Sequence, residues 1–202
     1  IQGRIEYSDI RHSSGSTTIL PLSATWGMRD NIELGCEIPL YINDSAFDGD
    51  LLGDISAGCS WLYETARGGT NLVLSGMVRL PTGTEGRDRG SELGLGFSTS
   101  TTFRLLRCHT SATYVLSGGS DPFSGPVTDY LRFSAGGASF LTGDLQVAGG
   151  LEGNTLGTLD LAGTVISYAI DDIAFFGTLR AGLSGGTSYS LSAGLAWTGS
   201  GF

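Results

Sequence analysis

The sequence predicts an all-β protein, a closed antiparallel transmembrane β-barrel of about twelve strands, with ten or fourteen as open alternatives. Three observations predict it. Apolar and polar residues alternate with a period of 2 in segment after segment. The connections between segments sort into tight turns on one side and longer loops on the other. Three tryptophans, Trp26, Trp61 and Trp197, fall in the apolar rows near the tight-turn ends of their segments. A period of 2 puts successive side chains on opposite faces of a strand, so each segment has one apolar and one polar face.

Taken in order, the segments run 3–11, 17–27, 31–43, 52–65, 70–81, 91–105, 110–118, 127–140, 144–153, 157–170, 172–184 and 188–200. The first ends at "SSGS" (13–16). The second carries Trp26 and ends at the tight "MRDN" (28–31). The third holds "NIELGCEIPLYI", whose even positions Ile32, Leu34, Cys36, Ile38, Leu40 and Ile42 are all apolar. Its odd positions are Asn31, Glu33, Gly35, Glu37, Pro39 and Tyr41. The long "DSAFDGDLL" (44–52) leads into the Trp61 segment, which ends at "ARGGT" (66–70). The fifth places Arg79 near its far end and runs into "TGTEGRDRGSE" (82–92). In the sixth the odd row is Leu93, Leu95, Phe97, Thr99, Thr101, Phe103 and Leu105, against Gly94, Gly96, Ser98, Ser100, Thr102 and Arg104. The seventh is hard to phase over 105–118, which is why the strand count stays open. After "SGGSDPFSGP" (117–126), tight "LTGD" (141–144) and "IDD" (170–172) alternate with "GNTLG" (153–157) and "SGGTS" (184–188). The eleventh segment sets Ile173, Phe175, Gly177, Leu179, Ala181 and Leu183 against Ala174, Phe176, Thr178, Arg180, Gly182 and Ser184. Trp197 closes the series.

A soluble sandwich has no reason to sort its loops this way, whereas an outer-membrane barrel has short periplasmic turns and longer extracellular loops. The aromatic residues choose between the orientations. Trp26, Trp61, Trp197, Phe103 and Phe175 all lie near tight-turn ends, where indole rings collect at a membrane–water interface. The apolar rows are therefore expected to face lipid and the Gly/Ser/Thr-rich rows a wet interior. The expected location is the bacterial outer membrane, with its lipid and lipopolysaccharide as surroundings.

Composition agrees. The chain has 202 residues, 33 of them glycine, enough for one domain spanning 1–202 and too glycine-rich for long helices. A formal net charge of −9 disfavours a nucleic-acid partner, which needs a basic stripe. No window approaches 18 consecutive apolar residues, so no transmembrane helix is expected, which leaves a membrane barrel open. No charged-then-apolar leader starts the sequence, so the chain reads as mature or cytosolic. Cys36, Cys59 and Cys108 have no metal-ligand spacing, and no metal or cofactor is expected. Cys36 and Cys59 fall at roughly opposing places on consecutive segments, so a cross-strand disulfide and two small lipid-facing residues are both open.

Three consecutive pieces, "GMRDNIELGCEIPLY" (27–41), "LLGDISAGCSWLYE" (51–64) and "GMVRLPTG" (76–83), resemble a family of outer-membrane transporters associated with the MetA pathway of phenol degradation. In that family a G-x-x-D-N-x-E-L-G strand precedes a G-L-G-D strand start and an L-P-T-G strand end. The resemblance covers about a third of the chain. It implies an outer-membrane barrel passing small hydrophobic or aromatic compounds, and it carries no catalytic residue. The terminal Phe202 resembles a barrel-assembly signal, but it is out of phase with Leu195 and Trp197 unless a bulge lies near Gly199–Gly201.

The expected pore-lining residues are Glu33, Glu37, Asp54, Glu64, Arg79, Glu92, Arg104, Arg132, Asp144, Glu152, Asp160 and Arg180. Strand order brings Arg79, Asp54 and Glu92 into one cluster and sets Arg180 beside Asp160. Such interleaved charges read either as a constriction that selects solutes by size and sign, or as salt bridges that prop and partly plug a small interior. Twelve strands give a backbone radius of roughly 12 Å, between filled eight-stranded barrels and open sixteen-stranded ones. Small solutes fit; a folded polypeptide does not.

Enzymatic readings are weak. His12 adjoins Ser13 and Ser14, and His109 lies near a tight turn, but a Ser–His site needs a third, orienting group that the sequence does not show. The acidic stretch 44–54 lacks calcium-loop spacing, and 82–96 lacks the Gly-Lys-Ser/Thr of a phosphate cradle. The expected function is passive transport of a small solute. The alternative is a non-conducting barrel that supports extracellular loops or binds a partner of unknown identity.

Overall fold

The computed structural model describes residues 2–12, 15–44, 51–64, 69–83, 91–118, 120–121, 125–126, 128–170, 173–184 and 187–198. The long strands are β1 (Gln2–His12), β2 (Gly15–Arg29), β3 (Ile32–Asp44), β4 (Ile55–Glu64), β5 (Thr70–Leu80) and β6 (Glu92–Phe103). They continue with β7 (Leu106–Ser117), β8 (Tyr130–Thr142), β9 (Leu145–Asn154), β10 (Leu159–Ile170), β11 (Ile173–Ser184) and β12 (Thr187–Thr198). Two-residue pieces at Leu51–Leu52, Ser120–Asp121 and Gly125–Pro126 complete the strands.

All pairings are antiparallel, and sequence neighbours pair with one another along the chain. β1 pairs with β2 on one side and β12 on the other, and β2 pairs in turn with β3. Each long strand therefore has a hydrogen-bonded neighbour on both sides. This order leaves no long unpaired edge to template aggregation or, in lipid, to strand backbone donors without partners.

Register shows which residues share a face. Leu34 is opposite Trp26 on β2 and Cys59 on β4, while Ile32 is opposite Trp61. The even row of β3 thus joins the tryptophans on one face. The odd row meets small and polar partners instead: Glu33 faces Gly27 and Ser60, and Glu37 faces Ser23 and Ser56. In β6, Leu93, Leu95 and Phe97 are exposed while Glu92 and Gly94 are buried. A water-soluble core would bury the leucines instead, so the apolar rows form the outer face and the polar rows the inner one. No helix among the described residues is long and apolar enough to cross a membrane.

Two turns correct the expected pore lining. β6 ends at Phe103 and β7 begins at Leu106, so Arg104 stands in a two-residue hairpin turn at φ 56° rather than on the inner wall. Such turns need positive φ to match the twist of the flanking strands. The Arg104 guanidinium lies 5.7 Å from the exposed Phe103 ring. Asp144 likewise occupies the Gly143–Asp144 turn between β8 and β9, where its carbonyl accepts the Tyr168 N–H at 2.8 Å. It is exposed and not part of the inner wall.

The disulfide alternative is also settled by register. Cys36 is opposite Ala57, and Cys59 is opposite Leu34, so the two cysteines are diagonal neighbours. Diagonal positions stand roughly 7–8 Å apart, beyond the usual reach of a bridge. All three cysteines are free and exposed.

Candidate functional site

Two groups of inner-facing charges lie toward the long-loop end of the sheet. Arg79 on β5 and Glu92 on β6 are direct register partners, the next-to-last residue of one strand and the first of the next. Their Nη1 and Oε2 atoms are 2.8 Å apart, and the Glu92 side chain is 1% exposed against 24% for Arg79. The contact is an ion pair by distance, yet Glu92 Oε2 makes no aligned hydrogen bond. Glycine at Gly94 leaves room here: a Cβ would come within 2.6 Å of Met77 Cγ, which lies across the same wall.

Asp54 does not join this pair through any contact the structure describes. Its carboxylate accepts the Gly83 N–H at 3.0 Å, tying the entry of β4 to the end of the β5 strand run. The expected three-residue cluster is thus an Arg79–Glu92 pair with Asp54 spent on local backbone. Glu64 ends β4 in register with Asn71, but its side chain lies outside the described residues.

A second group spans β8 to β11. Arg132 is opposite Thr113 and Asn154, and its Nη2 donates to the Tyr130 hydroxyl at 3.2 Å. Arg180 contacts Glu152 at 2.8 Å between Nε and Oε1. The sequence set Arg180 beside Asp160; the structure instead carries it past β10 to β9. Asp160 sits directly opposite Glu152, two carboxylates facing each other on one wall. Like charges in that position repel, and the Arg180 cation offsets them. The buried Asp160 Oδ1 has no hydrogen-bond partner among the described residues.

Between these groups the inner wall is closely packed. Val115 is 0% exposed and Tyr130 6%, both inner-facing partners across β7 and β8. Hydroxyl pairs line the rest: Ser111 with Ser134 at 2.7 Å and Thr164 with Thr178 at 3.0 Å. The hydroxyl pairs satisfy one another, while the ion pairs compensate charge with Glu92 Oε2 and Arg180 Nε left without an aligned hydrogen bond.

Five large aromatic side chains from the sequence analysis stand exposed on the outer face. Trp26, Trp61, Trp197, Phe103 and Phe175 are all exposed, from 39% for Trp197 to 69% for Phe103. Each lies within the last turns of register before a tight-turn end, with Trp61 edge-on to Tyr63 at 6.3 Å. His109 faces inward, with its ring against Gly136, and not toward the outer surface. The His12 side chain, Phe202, and the loops at 45–50 and 84–90 lie outside the described residues. No group of three or more His, Cys, Asp or Glu suited to a metal is found among the described residues.

Sequence reasoning missed several inner residues. Tyr130 and Arg4 are inward by register, and Arg4 lies 4.1 Å from the Phe176 ring centroid. Phe176 could have been found: it sits in the polar row of 173–184, where an aromatic residue is an anomaly.

The fold is shared with bacterial outer-membrane barrels. An outer membrane channel from Pseudomonas putida F1 superposes with a TM-score of 0.77 at 13% identity, covering 97% of this chain and 94% of that one. The KdgM porin gives 0.72 at 7% identity, covering 98% and 99%. Outer membrane phospholipase A from Escherichia coli gives 0.60 at 10%, covering 98% and 90%. No protein-family model and no curated protein sequence matches the chain. At these identities the likeness establishes the outer-membrane barrel fold, which hosts both channels and an enzyme.

Proposed function

We propose that this protein is a closed twelve-stranded barrel of the bacterial outer membrane that passes a small solute passively. The observation that carries the reading is the division of faces. The outer rows are apolar and end in an aromatic row, while the inner wall is lined with hydroxyls and charges that include the Arg79–Glu92 and Arg180–Glu152 pairs. Paired charges in a wetted passage filter solutes by size and sign. The resemblance of residues 27–41, 51–64 and 76–83 to phenol-pathway transporters favours a hydrophobic or aromatic cargo.

Burial of Val115 and Tyr130 on the inner wall supports a second reading, a lumen plugged at its long-loop end. Swelling of protein-loaded vesicles in isosmotic solutions of graded small solutes separates the two. Swelling faster than in empty vesicles, falling off with solute size, supports the channel. Vesicles with fully inserted protein that swell no faster than empty ones would overturn it.

A further inference from the structure

The outer face of the sheet breaks its apolar pattern on β5–β7. On β6 the outer row runs Leu93, Leu95 and Phe97, then Thr99 and Thr101, and returns to an aromatic at Phe103. Register sets Thr99 against Thr110 of β7, and Thr101 between Thr70 of β5 and Cys108 of β7. Hydroxyls from three adjacent strands therefore share one outer patch. The comparable outer positions on β3 are Leu34, Cys36 and Ile38, and on β11 Phe175, Gly177 and Leu179, with no hydroxyl among them.

Beside the hydroxyls the surface is hollow. The Thr101 row continues through Cys108 to Gly137 and Gly149, and the Thr99 row through Thr110 to Ala135. The exposed rings of Phe97 and Phe133 stand on one side of this hollow and that of Phe103 on the other. Thr99 and Phe103 share the outer row of β6, and their separation along a strand tilted at about 40° amounts to roughly 10 Å of depth. With Phe103 at the membrane–water boundary, Thr99 and Thr110 stand within the hydrocarbon band. The Thr70 and Thr101 hydroxyls bond each other at 3.0 Å, whereas those of Thr99 and Thr110 have no hydrogen-bond partner among the described residues. Lipid chains offer such a hydroxyl neither donor nor acceptor, so it gains by meeting protein.

We propose that this patch on the outer face of β5–β9 is where a second copy of the chain docks. A threonine hydroxyl both donates and accepts, so the patch is complementary to itself. Two copies inserted the same way hold it at the same depth. A two-fold axis along the membrane normal then sets Thr99 and Thr110 of one copy against those of the other. The hollow matters as much, because two convex barrels meet closely only where the side chains between them are small. Four strands about 4.8 Å apart, over about six residues of about 3.3 Å each, outline a footprint of roughly 400 Å² per copy, the scale of a weak, reversible contact. The contact lies outside the lumen, so it goes beyond the channel reading and does not depend on conduction.

Sedimentation equilibrium of the folded full chain in density-matched detergent micelles, at several protein-to-detergent ratios, measures the association. The wild type is expected to show a reversible monomer–dimer equilibrium that shifts with that ratio. Thr99→Val with Thr110→Val keeps the shape, removes the hydroxyls and is expected to weaken association at least fivefold. Gly149→Leu fills the hollow. A Cβ there meets nothing nearer than the Ala162 carbonyl oxygen at 3.6 Å, so this variant is expected to fold and to weaken association as strongly. Cys36→Leu, on the outer row of β3, is expected to leave association unchanged. A wild type that stays monomeric at every ratio, or association untouched in both folded patch variants, overturns the docking surface. So does a Cys36→Leu variant weakened as much as the patch variants, which would mark the association as general apolar contact. Should the threonine double variant fail to fold, Gly149→Leu decides.

Discussion

Glu92→Gln removes one charge from the most enclosed ion pair described on the inner wall and leaves its shape almost intact. The Glu92 side chain is 1% exposed and its partner, at 2.8 Å, is 24% exposed. Two unit charges about 4 Å apart attract by about 4 kcal/mol at the effective dielectric of roughly 20 that suits such sites. Removing one member of a buried pair typically costs about 3–5 kcal/mol because the other charge is left without compensation. Water reaching the partly exposed Arg79 recovers some of this, so a loss of about 2–3 kcal/mol is expected. The assay is the urea unfolding midpoint of the folded protein in detergent micelles. The swap Arg79→Glu with Glu92→Arg is expected to recover at least half of what either single change loses. A Glu92→Gln variant within about 0.5 kcal/mol of wild type, together with a swap no better than its components, would refute the reasoning.

Four further outcomes are expected. Gly136→Ala places a Cβ 2.6 Å from the Gly149 carbonyl oxygen and is expected to destabilise by about 1–3 kcal/mol. Gly163→Ala, with nothing within 4 Å, is expected to stay within about 0.5 kcal/mol, and the same urea series compares the two. Arg104→Gly relieves a positive-φ residue in the β6–β7 turn and is expected to stabilise by up to about 1 kcal/mol, read from the same midpoint. Fluorescence of Trp26, Trp61 and Trp197 in liposomes is expected to be quenched more by lipids brominated near the headgroup than by lipids brominated near the chain end. Equal or reversed quenching would remove the tryptophans from the interface.

The period-2 rows were legible because alternation is a one-dimensional signal and needs no knowledge of partners. Ile32–Ile42 therefore carried its own orientation once the tryptophans were placed beside it. The Arg79–Glu92 pair was legible for the same reason, since strand order and facing fix neighbours one strand apart. Arg104 and Asp144 were misplaced because a shift of one residue at a hairpin decides whether a charge lies in the wall or in the turn. Turn geometry at those points depends on backbone φ, which composition around "FRLLR" does not reveal. Arg180 was paired with the wrong carboxylate because a long side chain reaches past its nearest strand, a matter of rotamer rather than register. The Arg4–Phe176 contact went unseen because no single strand shows it: the two residues sit on strands either side of β12, and only the pairing order brings them together.

Ion conductance of the purified protein in a planar lipid bilayer tests the central claim most directly. Discrete, reproducible current steps are expected from the wild type, with an anion-to-cation selectivity that shifts toward cations in Arg79→Ala as a positive charge leaves the constriction. Protein verified as inserted that carries no current above the bare bilayer, in wild type and Arg79→Ala alike, would contradict the channel.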